Sequence, residues 1–313
     1  MATKLKDMLE TDEILSSGHR MCAGCAAPVI VRLMGQALRG PTIVCEATGC
    51  LEVATTIYPY TAWKIPWIHV AFENASAVAS GAFEAIEVMR EKGRYKDEHV
   101  DVVAIGGDGG TFDIGFGSLS GALERDHDFV YMVYDNGAYQ NTGIQRSGGT
   151  FPGQETTTSW AGSELPGKTQ RKKPITEIVA AHKIPYAATV SPYYWRDFIK
   201  KFRKALEVDG PAFIHAISPC PRGWRSESSK SIELSKLAVE TGMHPLYEIV
   251  NGEEYNLSTP SKRLKELKPI EEYMKPQGQF KHLFTDRWED FREQIQEWVN
   301  EDWELLKKKC TEE

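Results

Sequence analysis

The sequence predicts an α/β fold with a mostly parallel sheet and helices on both faces, plus an extended C-terminal tail that carries a helix. Three observations support this prediction. Continuous apolar runs, typical of strands buried on both faces, alternate with helical segments up to about residue 220. The apolar run 100–105 ends in a glycine-rich turn, residues 106–110. After residue 226 the chain becomes polar, with four prolines spread through residues 226–285, until its last helical segment.

Helix and strand alternate through the first half of the chain. Apolar residues 27–38 predict a helix, which the pair Gly40 and Pro41 ends, and a short strand follows at 42–46. Alanine-rich residues 74–90 predict a mostly buried helix. The next predicted elements are a strand at 100–105, a helix at 113–124 and a strand at 129–134.

A long loop rich in glycine, serine and threonine separates the two halves, at residues 136–173. Loops of this length in compact domains are usually functional or disordered. The elements predicted after it are a helix at 174–182, a strand at 186–190, a helix at 194–207 and a strand at 212–217. The final helix, 288–309, carries tryptophans along one side, which would pack either on its own domain or on a partner subunit.

Composition limits the class of protein. The 313 residues are 41% hydrophobic and 26% charged, as in ordinary globular proteins. A net charge of −7 argues against a nucleic-acid-binding protein. No apolar run is long enough to span a membrane, and the charged N-terminus does not read as a signal peptide, so we expect a cytoplasmic protein. We divide the chain into an N-terminal arm (1–18), a main domain (19–225) and a C-terminal tail with a helix that makes subunit contacts (226–313).

A glycine-rich segment, residues 106–110, follows the predicted strand 100–105 and opens onto a helix. Ligands of α/β sheets bind beyond the carboxyl ends of strands, where glycine lets the backbone approach a phosphate. Asp108 inside this segment predicts a bridging cation such as Mg²⁺. Asn136 follows the next strand, which would place it beside Asp108. A nicotinamide-dinucleotide loop is excluded, because Phe112 stands where its third glycine would be.

The cysteines form the second motif. Cys22 and Cys25 make a Cys-x-x-Cys pair, while Cys50 and Cys220 stand singly near the ends of core elements. In a reducing compartment such spacing predicts metal or redox chemistry rather than disulfides. Four thiolates suit either Zn²⁺ or a [4Fe–4S] cluster. Two cysteines remain. Cys45 lies in a predicted strand, so we expect it in the core, and we expect Cys310 to be an unpaired surface thiol.

Together the two motifs resemble the thiamine diphosphate-binding β subunit of the 2-oxoacid:ferredoxin oxidoreductases. The similarity covers roughly residues 15–225. The glycine and asparagine motifs above belong to this similarity. The other matching segments are residues 18–25, 48–53, 58–63, 72–75, 141–145 and 220–221.

The resemblance implies the thiamine diphosphate-binding fold and a set of cofactor sites. One [4Fe–4S] cluster would be held by Cys22, Cys25, Cys50 and Cys220. Mg²⁺ would be held by Asp108, Asn136 and the Ala138 carbonyl. Thiamine diphosphate would contact Gly49, Cys50, Gly107, Asp108, Gly109, Gly110, Asn136, Ala138, Asn141 and Thr142. Asn141 is the candidate catalytic residue, through a polar contact to substrate or thiamine.

Within that family the chain looks closest to oxalate oxidoreductase, on residues 26–28 and on Gly148 and Gly149. This implies an enzyme that oxidatively decarboxylates oxalate, a small carboxylic acid, to CO₂ and passes electrons through its cluster to ferredoxin. It would act only with partner subunits, one pyrimidine-binding α-type subunit and one ferredoxin-like subunit. The alternative substrate is pyruvate or another 2-oxoacid, converted to an acyl-CoA. A non-catalytic zinc-stabilised binding module would explain the cysteines but not Asp108 with Asn136. The basic run 168–173 is either a solvated loop or a ferredoxin docking site.

Overall fold

The computed structural model describes residues 11–95 and 99–310, so residues 1–10 of the predicted arm lie outside it. The described residues form an eight-stranded sheet in the order β2-β1-β3-β4-β6-β5-β7-β8. The first six strands in this order are parallel, and β7 and β8 join antiparallel at one edge. The strands are β1 Thr42–Ala47, β2 Trp67–Val70, β3 Asp101–Gly107, β4 Val130–Asp135, β5 Tyr186–Val190, β6 Ala212–Ile217, β7 Tyr247–Val250 and β8 Glu254–Leu257.

Helices cover both faces of the sheet, which confirms the predicted fold class and its C-terminal helix. They are α1 Ala27–Gly35, α2 Cys50–Thr55, α3 Ala75–Glu91, α4 Phe116–Glu124, α5 Ile175–Ala180, α6 Trp195–Glu207, α7 Pro221–Trp224, α8 Ser231–Glu240, α9 Thr259–Lys262, α10 Ile270–Met274 and α11 Glu289–Lys309. A π-helical turn, Gly110–Ile114, precedes α4, where the sequence predicted one continuous helix. In the described ranges, no helix has both the length and the apolar character needed to cross a membrane.

Two hydrophobic cores sandwich the sheet. On one face, α1 and α6 pack against the strands through residues such as Ile30, Phe198 and Phe202. On the other face, α3, α4 and α5 pack through residues that include Ala79 and Leu119. Burying both faces explains why the central strands are continuous apolar runs rather than alternating ones.

The segment after residue 226 packs on this same sheet. We expected few core residues between residue 226 and the last helix, and this expectation was wrong. Residues such as Leu234, Tyr273 and Phe280 are buried there in a third core, and β7 pairs with β5. The last helix buries Trp303 and Leu306 against its own domain. One side of the helix thus packs on its own domain, and the subunit contacts expected for residues 226–313 stay a prediction.

The strand register sets the position of the functional loops. Strands β3 and β4 are parallel neighbours in which Gly107 stands opposite Tyr134. Strand β6 lies on the other side of β4, with Ile217 opposite Asp135. The loops that follow these three strands therefore begin at the same edge of the sheet, as the carboxyl ends of parallel strands do.

The long loop 136–173 is packed into the protein. Ser147, Thr150 and Gln154 are buried within it, and Thr150 and Gln154 both donate hydrogen bonds to the Gly137 carbonyl, at 2.6 and 3.1 Å. Its basic run is divided: Lys168 and Lys172 face inward, whereas Arg171 and Lys173 are exposed. Lys168 donates a hydrogen bond to the Thr150 carbonyl, and Arg171 forms an ion pair with Asp302. Lys172 and Lys173 form ion pairs with Asp135 and Asp113. The run is therefore only partly a solvated loop, and its role as a ferredoxin docking site stays a prediction.

Candidate functional site

Three oxygen atoms converge where β3 and β4 end. The side-chain oxygen of Asn136 lies 3.0 Å from Oδ1 of Asp108 and 2.9 Å from the carbonyl oxygen of Ala138. Three acceptors facing one another are satisfied by a cation among them, or by turning the Asn136 amide so that its nitrogen donates. A carboxylate, an amide oxygen and a carbonyl are the hard ligands that Mg²⁺ takes in proteins. The residues present therefore fit the cation that the sequence predicts.

The glycine beside Asp108 is required by close packing. A Cβ atom at Gly109 would lie 2.3 Å from a ring carbon of Tyr139, a distance that no side chain tolerates. The Tyr139 hydroxyl donates a 2.9 Å hydrogen bond to the Gly109 carbonyl. The tyrosine ring thus lies against the turn after β3 and ties it to the loop after β4. Sequence reasoning missed Tyr139, because its partner is 30 positions away along the chain.

Asp108 is fully buried and surrounded by polar groups. Burial raises the pKa of Asp108 well above its usual range, and the nearby Asp135 carboxylate adds to this effect. Ser147 donates a short hydrogen bond to the Asp108 carboxylate from the long loop. A bound cation would supply the compensating charge that this carboxylate lacks. Ser147 was also missed by sequence analysis, because nothing in a serine-rich loop identifies which serine turns inward.

A buried network of charged side chains packs against the loop that follows β4. Lys172 forms a short ion pair with Asp135, and Nε2 of His215 lies 2.7 Å from the same carboxylate. Burial opposes ionisation of Asp135, but Lys172 and His215 lower the pKa of Asp135 below its usual value. The other oxygen of Asp135 accepts a 3.0 Å hydrogen bond from the Gly137 backbone N–H. The network therefore fixes the backbone that carries Asn136 and Ala138.

The four predicted cluster cysteines come together from separate segments. Burial, with smaller contributions from neighbouring thiols of the set, raises the pKa of Cys25 to about 12 and that of Cys50 to about 11. Burial and the neighbouring Cys22 thiol also raise the pKa of Cys220. All six cysteines are free thiols, Cys45 is buried in β1 as expected, and Cys310 is half-buried. In the parts of the chain described, no three His, Cys, Asp or Glu side chains lie close enough to hold a single metal ion.

A narrow cleft joins the two motifs. All ten residues predicted to contact thiamine diphosphate line it, together with Thr48, Phe72, Tyr134, Tyr139 and Gln140. Of the four cysteines, only Cys50 reaches the cleft, and the neighbouring Asn141 side chain acts to lower the pKa of its thiol. The three oxygens of Asp108, Asn136 and Ala138, which we call the oxygen triad, thus line the same cleft as one thiol of the cysteine set. The candidate catalytic residue Asn141 lies between them.

A larger cavity of about 390 Å³ lies elsewhere, between the sheet and α11. The histidines that line it are engaged within the protein: His215 with Asp135 and Thr176, and His244 with the Val190 carbonyl. Burial lowers the pKa of both histidines, which favours their neutral forms. The cavity lies apart from the residues that the sequence motifs identify, and we assign it no ligand.

Comparison with known proteins agrees with this geometry. Residues 47–216 match the family described as thiamine pyrophosphate enzyme, C-terminal TPP binding domain. The chain is 51% identical over 296 residues to pyruvate synthase subunit PorB of Methanocaldococcus jannaschii, covering 94% of this chain and 97% of that relative. It is 48% identical over 297 residues to the PorB subunit of Thermotoga maritima, covering 93% and 90%.

Two further similarities extend the comparison. Ketoisovalerate oxidoreductase subunit VorB of Pyrococcus furiosus is 45% identical over 297 residues, covering 95% of this chain and 93% of that relative. A solved structure of the 2-oxoglutarate:ferredoxin oxidoreductase from Magnetococcus marinus aligns with a TM-score of 0.53 at 22% identity, over 72% of this chain and 81% of that one. At that identity the structural match supports the fold alone.

Proposed function

The chain belongs to the thiamine pyrophosphate enzymes, in the family of PorB-type subunits of 2-oxoacid:ferredoxin oxidoreductases, and from that premise we propose its substrate and cofactors. We propose that it is the thiamine diphosphate- and cluster-bearing β subunit of an enzyme that oxidises pyruvate or a closely similar short 2-oxoacid. The products would be an acyl-CoA, CO₂ and reduced ferredoxin. Because the chain belongs to a family of oxidoreductases, we set aside the alternative of a non-catalytic zinc-stabilised binding module.

One observation carries this proposal: the oxygen triad and Cys50 line a single cleft. Bound thiamine diphosphate would supply the electron sink for decarboxylation, and a bound [4Fe–4S] cluster would accept electrons singly. Asp108, Asn136 and the Ala138 carbonyl would hold Mg²⁺, which would supply positive charge for the diphosphate. The glycines beside Asp108 would let the backbone approach it. Cys22, Cys25, Cys50 and Cys220 would hold the cluster.

The proposed role of Asn141 follows from its position. Its side chain lies close enough to Cys50 to act on the pKa of that thiol, and it also lines the cleft, beside Thr142. A hydrogen bond to a ligand sulfur tunes the potential of a cluster. Asn141 would therefore orient polar groups of the substrate or cofactor. It would also tune the reduction potential of the cluster that accepts the electrons.

A partner subunit would complete the site. The cleft encloses only about 30 Å³, roughly the space of one water molecule. Cofactor pockets are typically about ten times larger or more. The chain therefore supplies one wall, and an α-type subunit that binds the pyrimidine ring would supply the other. A ferredoxin-like subunit would carry electrons onward to ferredoxin.

The substrate proposal departs from the oxalate expectation. The relatives reported above are named for pyruvate and ketoisovalerate, and they match nearly the whole chain at 45–51% identity. The residues that suggested oxalate are few. They are residues 26–28, which open α1, and Gly148 and Gly149, which pack beside Asp113 and Asp108. The alternative expectation, a 2-oxoacid converted to an acyl-CoA, is therefore the better supported one.

Turnover of the purified complex tests this proposal. Dye reduction should be measured anaerobically with pyruvate, 2-ketoisovalerate, 2-oxoglutarate and oxalate, each with and without coenzyme A. We expect activity with pyruvate that requires coenzyme A for sustained turnover, and none with oxalate. Oxalate oxidation without coenzyme A, together with inactivity on every 2-oxoacid, would overturn the substrate assignment.

A further inference from the structure

The backbone of Asn136 is held by two side chains that the sequence motifs do not include. Its carbonyl oxygen accepts a 2.7 Å hydrogen bond from the indole Nε1 of Trp224 and a 3.0 Å bond from Nε2 of Gln140. Trp224 is fully buried. Whatever fixes this peptide group also fixes the Asn136 side chain, whose oxygen belongs to the triad around Asp108.

The same tryptophan is tied to one of the cluster cysteines. Trp224 ends the short helix α7, which begins directly after Cys220. The Trp224 backbone N–H donates a 2.8 Å hydrogen bond to the Cys220 carbonyl, and the Gly223 N–H donates a 3.3 Å bond to the Cys220 sulfur. A single helical turn therefore connects a proposed cluster ligand to a proposed metal ligand.

Gln140 tightens this connection. A Cβ atom at position 223 would lie 1.8 Å from Oε1 of Gln140, so only glycine allows the helix to approach this side chain. The next residue, Asn141, lines the same cleft as Cys50 and lies close enough to act on the pKa of its thiol. The loop after β4 thus touches the cysteine set at two points, through Trp224 and Gly223 near Cys220 and through Asn141 at Cys50. Two segments packed this closely do not move independently.

We propose that Trp224 is a positioning residue that couples the cysteine cluster to the metal–diphosphate site. Displacement of Cys220 on cluster binding or reduction is transmitted through α7 and the indole N–H to the Asn136 peptide. The coupling is reciprocal, as linkage requires: occupancy of the metal–diphosphate site shifts the cluster potential, and the cluster state shifts thiamine diphosphate affinity. This inference rests on the proposed function, since it needs both cofactors in this chain.

The Trp224→Phe substitution tests the coupling in the assembled, iron-loaded complex. It removes the indole N–H and keeps an aromatic side chain in the buried site. The affinity for thiamine diphosphate with Mg²⁺ is measured by calorimetry. The midpoint potential of the cluster is measured with and without thiamine diphosphate and Mg²⁺. We expect about two- to tenfold weaker binding, in line with the loss of one hydrogen bond. We also expect the ligand-induced shift in potential to fall to less than half its wild-type size.

Two further variants separate coupling from general damage to the fold. Trp303→Phe makes the same change at a buried tryptophan of α11, distant from both motifs, and should leave affinity and potential shift unchanged. Gln140→Met removes the second donor to the Asn136 carbonyl without altering the buried indole, and should weaken binding in the same direction as Trp224→Phe.

The outcomes are distinguishable. A wild-type complex that carries no iron or binds no thiamine diphosphate would overturn the proposed function and this inference with it. A normal wild-type complex with an unchanged potential shift in Trp224→Phe would overturn the coupling alone. An equal loss in Trp303→Phe would also overturn it, because the effect would then be one of general packing.

Discussion

The side-chain oxygen of Asn136 lies 3.0 Å from Oδ1 of Asp108, although the two residues are 28 positions apart. Parallel pairing of β3 with β4 creates this proximity, because both residues follow directly on strands that end at the same edge. Both are buried, and the Ala138 carbonyl completes the group. The relationship fits the cation site that we propose beside the glycine-rich turn.

The first prediction concerns the carboxylate of that site. Asp108→Asn keeps the shape of the side chain but removes the charge that would bind Mg²⁺. We expect thiamine diphosphate affinity in the presence of Mg²⁺ to fall at least about 100-fold, with the iron content unchanged. Calorimetry and iron analysis measure the two quantities. Asp286→Asn, the same change at an exposed position, is the control. Wild-type affinity in Asp108→Asn would exclude this carboxylate as the metal ligand.

The second prediction concerns the cysteines. Cys220→Ala should lose or destabilise the cluster although Cys22 and Cys25 remain, because one iron would lack a protein ligand. Cys45→Ala and Cys310→Ala should retain full iron, since neither belongs to the set that clusters around Cys25. Iron and sulfide content and the visible spectrum report the result. Stable zinc in place of iron in the wild-type protein would contradict the cluster assignment.

The third prediction concerns Asn141. Its amide lies close enough to Cys50 to act on the pKa of that thiol, so it would donate a hydrogen bond to the sulfur once Cys50 is a cluster ligand, and hydrogen bonds to ligand sulfurs stabilise the reduced cluster. Asn141→Ala should therefore make the midpoint potential more negative, on the order of tens of millivolts, and slow cluster reduction by substrate. Redox titration followed by electron paramagnetic resonance measures the potential. Asn300→Ala, at an exposed position of α11, should not change it. A potential that stays constant in Asn141→Ala would separate this residue from the cluster.

These predictions differ in how far the sequence alone leads to them. Asp108 and Asn136 can be paired from sequence because adjacent parallel strands bring their following loops together. Trp224, Gln140 and Ser147 cannot, because their partners come from loops whose packing is decided only by the folded structure. The strands β7 and β8 were missed for another reason. Each has only four residues, and in β8 exposed and half-buried positions alternate, which is a weak signal at a sheet edge.

A fourth prediction concerns stability and pH. His244 is buried against the ring of His215, at 4.8 Å, with Lys172 and Asp135 nearby, and it donates from Nε2 to the Val190 carbonyl. Burial, together with His215 and Lys172, lowers the pKa of His244 well below its usual 6.5. The unfolded chain therefore binds a proton below about pH 6.5 that the folded chain does not. Stability contributed by the neutral His244 is present above this pH and is lost as the pH falls.

The His244→Gln substitution tests this pH dependence, because glutamine can still donate to the carbonyl but does not titrate. Thermal or urea unfolding of the complex is compared between about pH 7.5 and 5.5. The wild type should lose up to about 1.4 kcal/mol more per pH unit than the variant over this range. An equal loss in both proteins would show that His244 carries no linked proton.

The most direct test of the central claim is rapid anaerobic mixing of the complex with substrate, with cluster reduction followed in the visible spectrum. The claim is that the metal–diphosphate site and the cysteine cluster of this chain act together in one reaction. We predict that pyruvate bleaches the cluster absorbance of the wild type, and that the iron-loaded Asp108→Asn complex stays oxidised. Bleaching of equal rate and extent in Asp108→Asn, or a wild-type cluster that no 2-oxoacid reduces, would contradict the account.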